Sequence, residues 1–316
     1  MNPDSILELM MRQYQAACVL GAAAELDVFA ALALRPLTAR EVARKLKCDV
    51  RATAILLDAL AALRLLSKRG DRYAVPRDVA VSVQKTLPML QHQANCLRRW
   101  AELACTVRSG TKPEQKPSVR GAVGDRESFI GAMHVINEAC ADAVVRGLKC
   151  RKLLDVGGGS GTWTVALLRA NPGATATLFD LSPVIPLARR RLAGLPVKFV
   201  AGDFYRDKLP SGADLVWVSA IVHQNSRAQN RALFAKARRA LVPGGRIAIR
   251  DIVMERSRTA PVSGALFAVN MLVATEGGGT FTLAELREDL EAAGFFGVTL
   301  ARRDEWMNSI VIARKE

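Results

Sequence analysis

The stretch Leu153-Leu154-Asp155-Val156-Gly157-Gly158-Gly159-Ser160-Gly161-Thr162 constrains this chain more than any other. Four apolar or strand-compatible residues run into glycines and then into an apolar helical pattern. Glycines let the backbone approach a ligand closely, and a helix N-terminus favours a negative group. A dinucleotide-binding turn would carry a sixth-position glycine, where this chain has Thr162. The order here is acid-x-Gly-x-Gly-x-Gly.

From Lys152 onward, strand and helix patterns alternate. Strands are expected at Lys152–Val156, Thr175–Asp180, Val197–Ala201, Asp214–Ser219 and Arg246–Arg250, with helices between them. That rhythm implies an α/β fold, a Rossmann-like doubly wound parallel sheet with helices on both faces. The last two strands, Val298–Arg302 and Ser309–Arg314, lie too close for a crossover helix and must form a terminal antiparallel hairpin.

Acidic residues sit where a nucleoside would need them. Asp180, followed by Leu181, ends the second strand, where a carboxylate accepts two ribose hydroxyls. Asp203-Phe204 follows the third strand, where an acid takes an amino group and an aromatic ring stacks on a base. Ser219 ends the fourth strand. Leu241-Val242-Pro243-Gly244-Gly245 precedes the fifth. Taken in order and at these spacings, the set resembles class I S-adenosylmethionine (SAM) methyltransferases.

The first part is different. Residues 1–35 carry apolar residues, among them Ile6, Leu9 and Met10, at helical spacing. Thr38 with Glu41 forms a capping box for a helix ending near Cys48. A second helix is expected over Val50–Leu63, then a hairpin across Arg69-Gly70-Asp71. Together these make a winged-helix pattern. DNA readout needs Arg, Lys, Asn or Gln on the reading helix. This one offers Ile55, Leu56, Leu57, Leu60 and Leu63 instead, so packing or dimerisation is the better use. Residues 85–108 read as helical, Thr111–Asp125 as a Pro- and Gly-containing loop, and Ser128–Gly147 as a helix. The boundary falls near 108–127, giving a winged-helix domain over 1–110 and a catalytic domain over 111–316.

The formal net charge of +15 first suggests nucleic acid, but the excess is +7 over residues 1–150 and +8 over the rest. Charge so evenly spread is a solvated surface. The six cysteines lack metal-ligand spacing, so no zinc is expected, and they suit a reducing compartment. Met1-Asn2-Pro3-Asp4 lacks the basic start of a signal peptide, and Glu25 and Asp27 interrupt the apolar stretch Ala16–Leu34. A cytoplasmic location without membrane association is expected.

The chain resembles, over nearly its full length, the small-molecule O-methyltransferases typified by plant caffeic acid and hydroxyindole enzymes and by bacterial polyketide-tailoring enzymes. The resemblance implies SAM as methyl donor, S-adenosylhomocysteine as product, a hydroxyl-bearing small-molecule acceptor, and a homodimer formed by the N-terminal domain. It implies that Asp155, Gly157, Gly159, Gly161, Asp180, Leu181, Asp203, Phe204 and Ser219 form the cofactor site. Trp217-Val218-Ser219-Ala220-Ile221-Val222-His223 matches the family's catalytic segment, which makes His223 the general base and Asp251 its orienting acid. Met133 and Met271 match pocket-lining positions, with Asn137, Phe267 and Asn270 as further acceptor contacts.

The family's usual Asp or Asn and Trp after the histidine are replaced by Gln224 and Asn225, and its second orienting acid falls at Thr280, near Glu276. No acid cluster suggests a catalytic metal. Two other readings stay open on the sequence: a SAM-bound member doing non-methylating chemistry, such as hydroxylation, decarboxylation or rearrangement, and a winged-helix regulator that senses SAM.

Overall fold

The computed structural model describes residues 3–316, with side chains from Met11 onward except Arg12. The side chains of Ile6, Leu9 and Met10 therefore lie outside the described residues. The chain divides into two compact units: residues 1–101 with 115–136, and residues 102–114 with 137–316. It thus passes between units three times rather than at one boundary.

The first unit opens with α1 (Pro3–Glu25) and α2 (Val28–Ala31), followed by β1 (Leu37–Thr38) and α3 (Ala39–Leu46). Thr38 caps α3, with the reciprocal Glu41 bond of a capping box. Next come α4 (Val50–Ala62), β2 (Ser67–Arg69), β3 (Arg72–Ala74) and α5 (Arg77–Trp100). The strands pair in the order β1-β3-β2. The core gathers Val28, Phe29, Leu37, Val42, Leu57, Leu60 and Tyr73. The apolar pattern of the would-be reading helix is half used: Leu57 and Leu60 are fully buried, whereas Ile55 and Leu63 remain exposed.

The helix expected over 85–108 is two helices, α5 and α6 (Leu103–Ser109), and α5 starts eight residues earlier, carrying Pro88 within it. The loop expected over 111–125 ends sooner, because α7 (Gly121–Glu138) begins at Gly121. The positive φ of Gly121, 72°, turns the chain into the helix, and Asp125 Oδ2 accepts from the Ser118 amide at 2.9 Å. Gln91 ties three helices of this unit together: its Nε2 donates to the Ala24 carbonyl at 3.0 Å, and its Oε1 accepts from Ser128 at 2.9 Å.

The helix expected over 128–147 breaks after Glu138, and α8 (Ala141–Val144) follows in the second unit. Then come β4 (Lys152–Val156), α9 (Thr162–Ala170), β5 (Thr175–Asp180), α10 (Ile185–Arg191), β6 (Val197–Ala201) and β7 (Ala213–Ser219). After a 3₁₀ turn at Val222–Gln224 come α11 (Arg227–Ala240), β8 (Leu241–Asp251) and β9 (Val253–Met254). The chain closes with α12 (Val262–Ala274), β10 (Phe281–Thr282), α13 (Leu283–Ala292), β11 (Phe296–Arg302) and β12 (Ser309–Arg314).

Seven strands form one sheet in the order β11-β12-β8-β7-β4-β5-β6. The five from β4 to β8 are parallel, and the terminal hairpin joins antiparallel through β12. Val156, Val216, Val218, Ile247 and Ile249 bury one face under α11 and α13, and Leu153, Leu215, Trp217 and Ala248 bury the other under α8 and α9. The strand order reverses beside β4, and ligands of open α/β sheets bind outside the strand ends at such a switch point. The glycine turn lies there.

Candidate active site

The turn after β4 is built from positive φ angles: Gly157 at 67°, Gly159 at 55° and Gly161 at 79°. A Cβ at Gly157 would sit 2.6 Å from Ile221 Cδ1, whereas one at Gly159 would meet nothing within 4 Å. The turn is therefore packed behind and open at Gly159. Asp180 grips it there, its Oδ2 accepting from the Gly159 amide at 2.7 Å and its Oδ1 from the Leu181 amide at 2.7 Å. Each carboxylate oxygen keeps a further lone pair, enough for two ribose hydroxyls. Burial holds the Asp180 carboxyl above the usual carboxylate range. The Leu181 side chain is half exposed.

Asp155 behaves differently from the other acids. It is 1% exposed, and its Oδ2 accepts from the Thr164 hydroxyl at 2.6 Å. It shapes the turn from behind by anchoring α9. Burial, with the charge of Asp180 adding to it, pushes its pKa up to about 7.

After β6, the turn at Asp203-Phe204 is fastened by its own backbone. Asp203 Oδ1 accepts from the Tyr205 amide at 2.8 Å, and Lys236 donates to the carbonyls of Phe204 and Tyr205 at 2.8 and 2.9 Å. The Phe204 ring lies 3.8 Å from where a Gly157 Cβ would be. The glycine turn, Asp180 and Phe204 are thus brought together. An open glycine cradle, a carboxylate with spare acceptor capacity and an aromatic ring fit the amino acid, ribose and adenine parts of SAM.

His223 sits in the 3₁₀ turn after β7 and is 8% exposed. Its Nδ1 contacts both oxygens of Asp251, at 2.9 and 3.0 Å. Asp251 is buried at the end of β8, and its Oδ1 also accepts from the Ile252 amide at 2.8 Å. A carboxylate only accepts, so the proton belongs on Nδ1 and Nε2 keeps its lone pair. The Phe267 ring stands edge-on to the imidazole, with centroids 4.8 Å apart.

The turn itself is held from two sides. Asn230 donates to the Val222 carbonyl at 3.0 Å, and the Gly279 amide donates to the His223 carbonyl at 2.8 Å. Asn225, at the position where the family usually has Trp, is fully buried and donates to Asn230 at 2.9 Å. Ser226 and Gln229 form the expected capping box. No second acid reaches the histidine among the described residues. Thr280 is buried with its carbonyl bonded to Arg258, and Glu276 turns outward, its side chain 87% exposed and 3.5 Å from Lys112.

The acceptor candidates are scattered. Phe267 and Met271 share one face of α12, and Met271 is buried. Asn270 is half-buried on the same helix, and Met133 lies on α7 in the first unit. Asn137 is buried, and its Oδ1 accepts from Arg250 Nη2 at 2.8 Å. Arg250 was not foreseen as a site residue. It is 1% exposed, donates to Ser219 at 3.1 Å and to Asn308 at 2.8 and 3.0 Å, and lies 4.2 Å above the Trp163 ring. Burial pushes its pKa down to about 10. The sequence signal was an arginine at an inward position of Arg246-Ile247-Ala248-Ile249-Arg250-Asp251.

A family model described as an O-methyltransferase domain matches residues 124–296, and one described as an O-methyltransferase dimerisation domain matches residues 9–79. The chain belongs to this O-methyltransferase family. Among its relatives is the tetracenomycin polyketide synthesis 8-O-methyltransferase of Streptomyces glaucescens, 32% identical over 94% of this chain and 92% of that protein. Another is the 3-hydroxy-5-methyl-1-naphthoate 3-O-methyltransferase of Streptomyces sahachiroi, 33% identical over 90% and 87%. Human N-acetylserotonin methyltransferase, solved in complex with SAM, superposes with a TM-score of 0.78 at 25% identity, covering 100% of this chain and 98% of that one. This O-methyltransferase is accordingly SAM-dependent and carries a dimerisation domain. Among the described residues, no helix of the methyltransferase is long and apolar enough to cross a membrane, and no His, Cys, Asp or Glu cluster converges as a metal site.

Proposed function

We propose that the enzyme methylates a phenolic hydroxyl on a fused-ring aromatic acceptor of polyketide type, with His223 as general base. The observation that carries the reading is the two-oxygen grip of Asp251 on His223 Nδ1. It fixes the ring and leaves Nε2 able to take a proton.

When bound, SAM supplies a methyl group on a sulfonium, ready for in-line attack by oxygen. The backbone at Gly157, Gly159 and Gly161 and the carboxylate of Asp180 would hold it, with Asp203 and Phe204 at the adenine and Leu181 and Ser219 flanking. Asp155 supports this set from behind through Thr164. His223 Nε2 accepts the phenol proton as the oxygen attacks, and Asp251 stabilises the imidazolium that results. General-base help of this kind is worth about 100- to 10,000-fold. Phe267, edge-on to the imidazole, narrows the approach to a flat ring, and Asn270 and Met271 continue that face of α12.

The naphthoate and tetracenomycin activities of the two Streptomyces relatives support the fused-ring acceptor. The dimerisation domain and the exposed apolar Ile55 and Leu63 of α4 support a homodimer through the N-terminal domain. Six unpaired cysteines support the cytoplasm as its location.

The test is product analysis by mass spectrometry with SAM and a panel of hydroxynaphthalenes, hydroxynaphthoates and hydroxylated tetracyclic quinones. The expected result is a product one methylene heavier, formed in step with S-adenosylhomocysteine. Consumption of an acceptor without that stoichiometry, or turnover of none of the panel, overturns the proposal.

A further inference from the structure

Tyr205 follows Phe204 in the turn after β6, and its hydroxyl reaches out of that turn. It donates to Asn225 Oδ1, 20 residues along the chain, and the Gln224 side chain bonds the same hydroxyl. Gln224 and Asn225 directly follow His223 and stand where the family usually has Asp or Asn and then Trp. The bonding continues inward. Asn225 Nδ2 donates to Asn230 Oδ1 at 2.9 Å, and Asn230 Nδ2 donates to the Val222 carbonyl at 3.0 Å. A row of side-chain hydrogen bonds therefore runs from the Phe204–Tyr205 turn into the 3₁₀ turn that carries His223.

Three observations separate this row from ordinary packing. First, Asn225 and Asn230 are both fully buried, so each bond is made away from water, where the loss of one is felt by the next. Second, the phenol remains a donor, because burial, with the charge of Asp203 adding to it, raises its pKa. Third, the two turns already rest on α11. Lys236 holds the Phe204 and Tyr205 carbonyls, and Asn230 holds that of Val222. The Tyr205 hydroxyl is thus a cross-tie above a shared footing rather than the support of either turn. Its ring lies 4.5 Å from that of Phe204, centroid to centroid, so a base stacked on Phe204 would restrain the tyrosine as well.

We propose that Tyr205 is a positioning residue for methyl transfer: its hydroxyl carries occupancy of the adenine side to the 3₁₀ turn, so a bound cofactor firms the backbone that holds His223. The inference rests on the placement of adenine at Phe204 and of the base at His223 proposed above. It needs no new contact to SAM. A stacked base orders the Tyr205 ring, the ordered hydroxyl restricts Asn225, and the turn opens less often.

The amides of Gln224 and Asn225 close the 3₁₀ turn on the Ile221 and Val222 carbonyls at 3.1 and 3.3 Å, so their hydrogen exchange reports its opening. The test measures that exchange on the full-length protein with and without saturating S-adenosylhomocysteine, beside calorimetry, for the wild type and Tyr205→Phe. The variant keeps both rings, and Tyr205 is 48% exposed, so it should fold as the wild type does. S-adenosylhomocysteine should bind the two proteins within about twofold of each other, yet slow exchange at the two amides at least about threefold in the wild type alone, the factor one neutral hydrogen bond supplies. With whichever panel acceptor the wild type methylates, Tyr205→Phe should lower kcat about three- to tenfold while KM for SAM holds. No slowing in the wild type, equal slowing in both proteins, an unchanged kcat, or exchange that is faster in the variant by the same factor with and without ligand would each overturn the proposal and leave the SAM site standing. Failure of the wild type to bind S-adenosylhomocysteine overturns it together with the cofactor placement. If no panel acceptor turns over, the acceptor reading falls and the exchange result alone decides the role of Tyr205.

Discussion

Asp251 holds the imidazole of His223 with both carboxylate oxygens, at 2.9 and 3.0 Å from Nδ1. Twenty-eight residues separate the two in sequence, and the parallel pairing of β7 and β8 brings their strand ends together. Replacing His223 by Gln should lower kcat by about 100- to 10,000-fold with SAM affinity retained. Asp251→Asn should lower kcat as well, because an amide can donate to Nδ1 and so favours the tautomer with its proton on Nε2. Single-turnover rates beside SAM titrations check both; full activity in either variant removes the base assignment.

The Asp180 carboxylate is tied to two amides and retains room for two hydroxyls. Asp180→Ala removes both functions, and each charged hydrogen bond lost is worth about 1.5–3 kcal/mol. SAM and S-adenosylhomocysteine should therefore each bind at least about tenfold more weakly. Adenosine should lose a similar factor, because it presents the same ribose. Undiminished nucleoside affinity in a calorimetric titration would place the ribose elsewhere.

Asp155 predicts a pH dependence. Its folded pKa of about 7 lies above the reference 3.8, so the folded state binds the extra proton between those values. The stability it contributes is present below about 3.8 and lost as pH rises through about 7. Asp155→Asn keeps an acceptor for Thr164 and removes the titration. The variant should show a flatter melting temperature from pH 4 to 7 and should gain, on the order of a few kcal/mol, at pH 8. A slope identical to that of the wild type would assign the dependence to other groups.

Gly278 is the place where a single methyl group should disturb the base without touching its imidazole. A Cβ there would press on the Thr275 hydroxyl and come within 2.5 Å of the His223 carbonyl oxygen. Gly278→Ala should lower kcat several-fold while SAM binding holds, and overpacking should cost about 1–3 kcal/mol of stability. Thermal unfolding together with steady-state kinetics reads both effects; wild-type kcat with an unaltered melting temperature would show that the segment yields freely.

The parts of the fold that announced themselves in the sequence are those whose causes are local. The capping boxes at Thr38–Glu41 and Ser226–Gln229 formed as spaced, and five parallel strands and the final hairpin lie where alternation put them. Boundaries set by tertiary contact were harder. Gly121 and Gly124 read as loop formers, yet one starts α7 and the other lies inside it. Leu241–Gly245 were expected to precede the fifth strand, yet β8 runs through them with a register shift against β7. At the site, the glycine turn and Asp180 were legible because a strand end places them. The join from Asn137 to Arg250 crosses 113 residues and has no local signature. Neither does the outward turn of Glu276, whose carboxylate lies 3.5 Å from Lys112.

The amide of Gly279 clasps the carbonyl of His223, and α12, which carries Phe267 and Met271, feeds directly into that glycine run. With the roles proposed for α12 and His223, acceptor selection and proton abstraction would share a mechanical linkage. A change that tilts α12 to admit a bulkier ring will also pull on the backbone of the base. Efforts to redirect this catalyst should accordingly find specificity and turnover rate shifting together, and the length of the Thr275–Thr280 connection is the part to adjust when the two must be uncoupled.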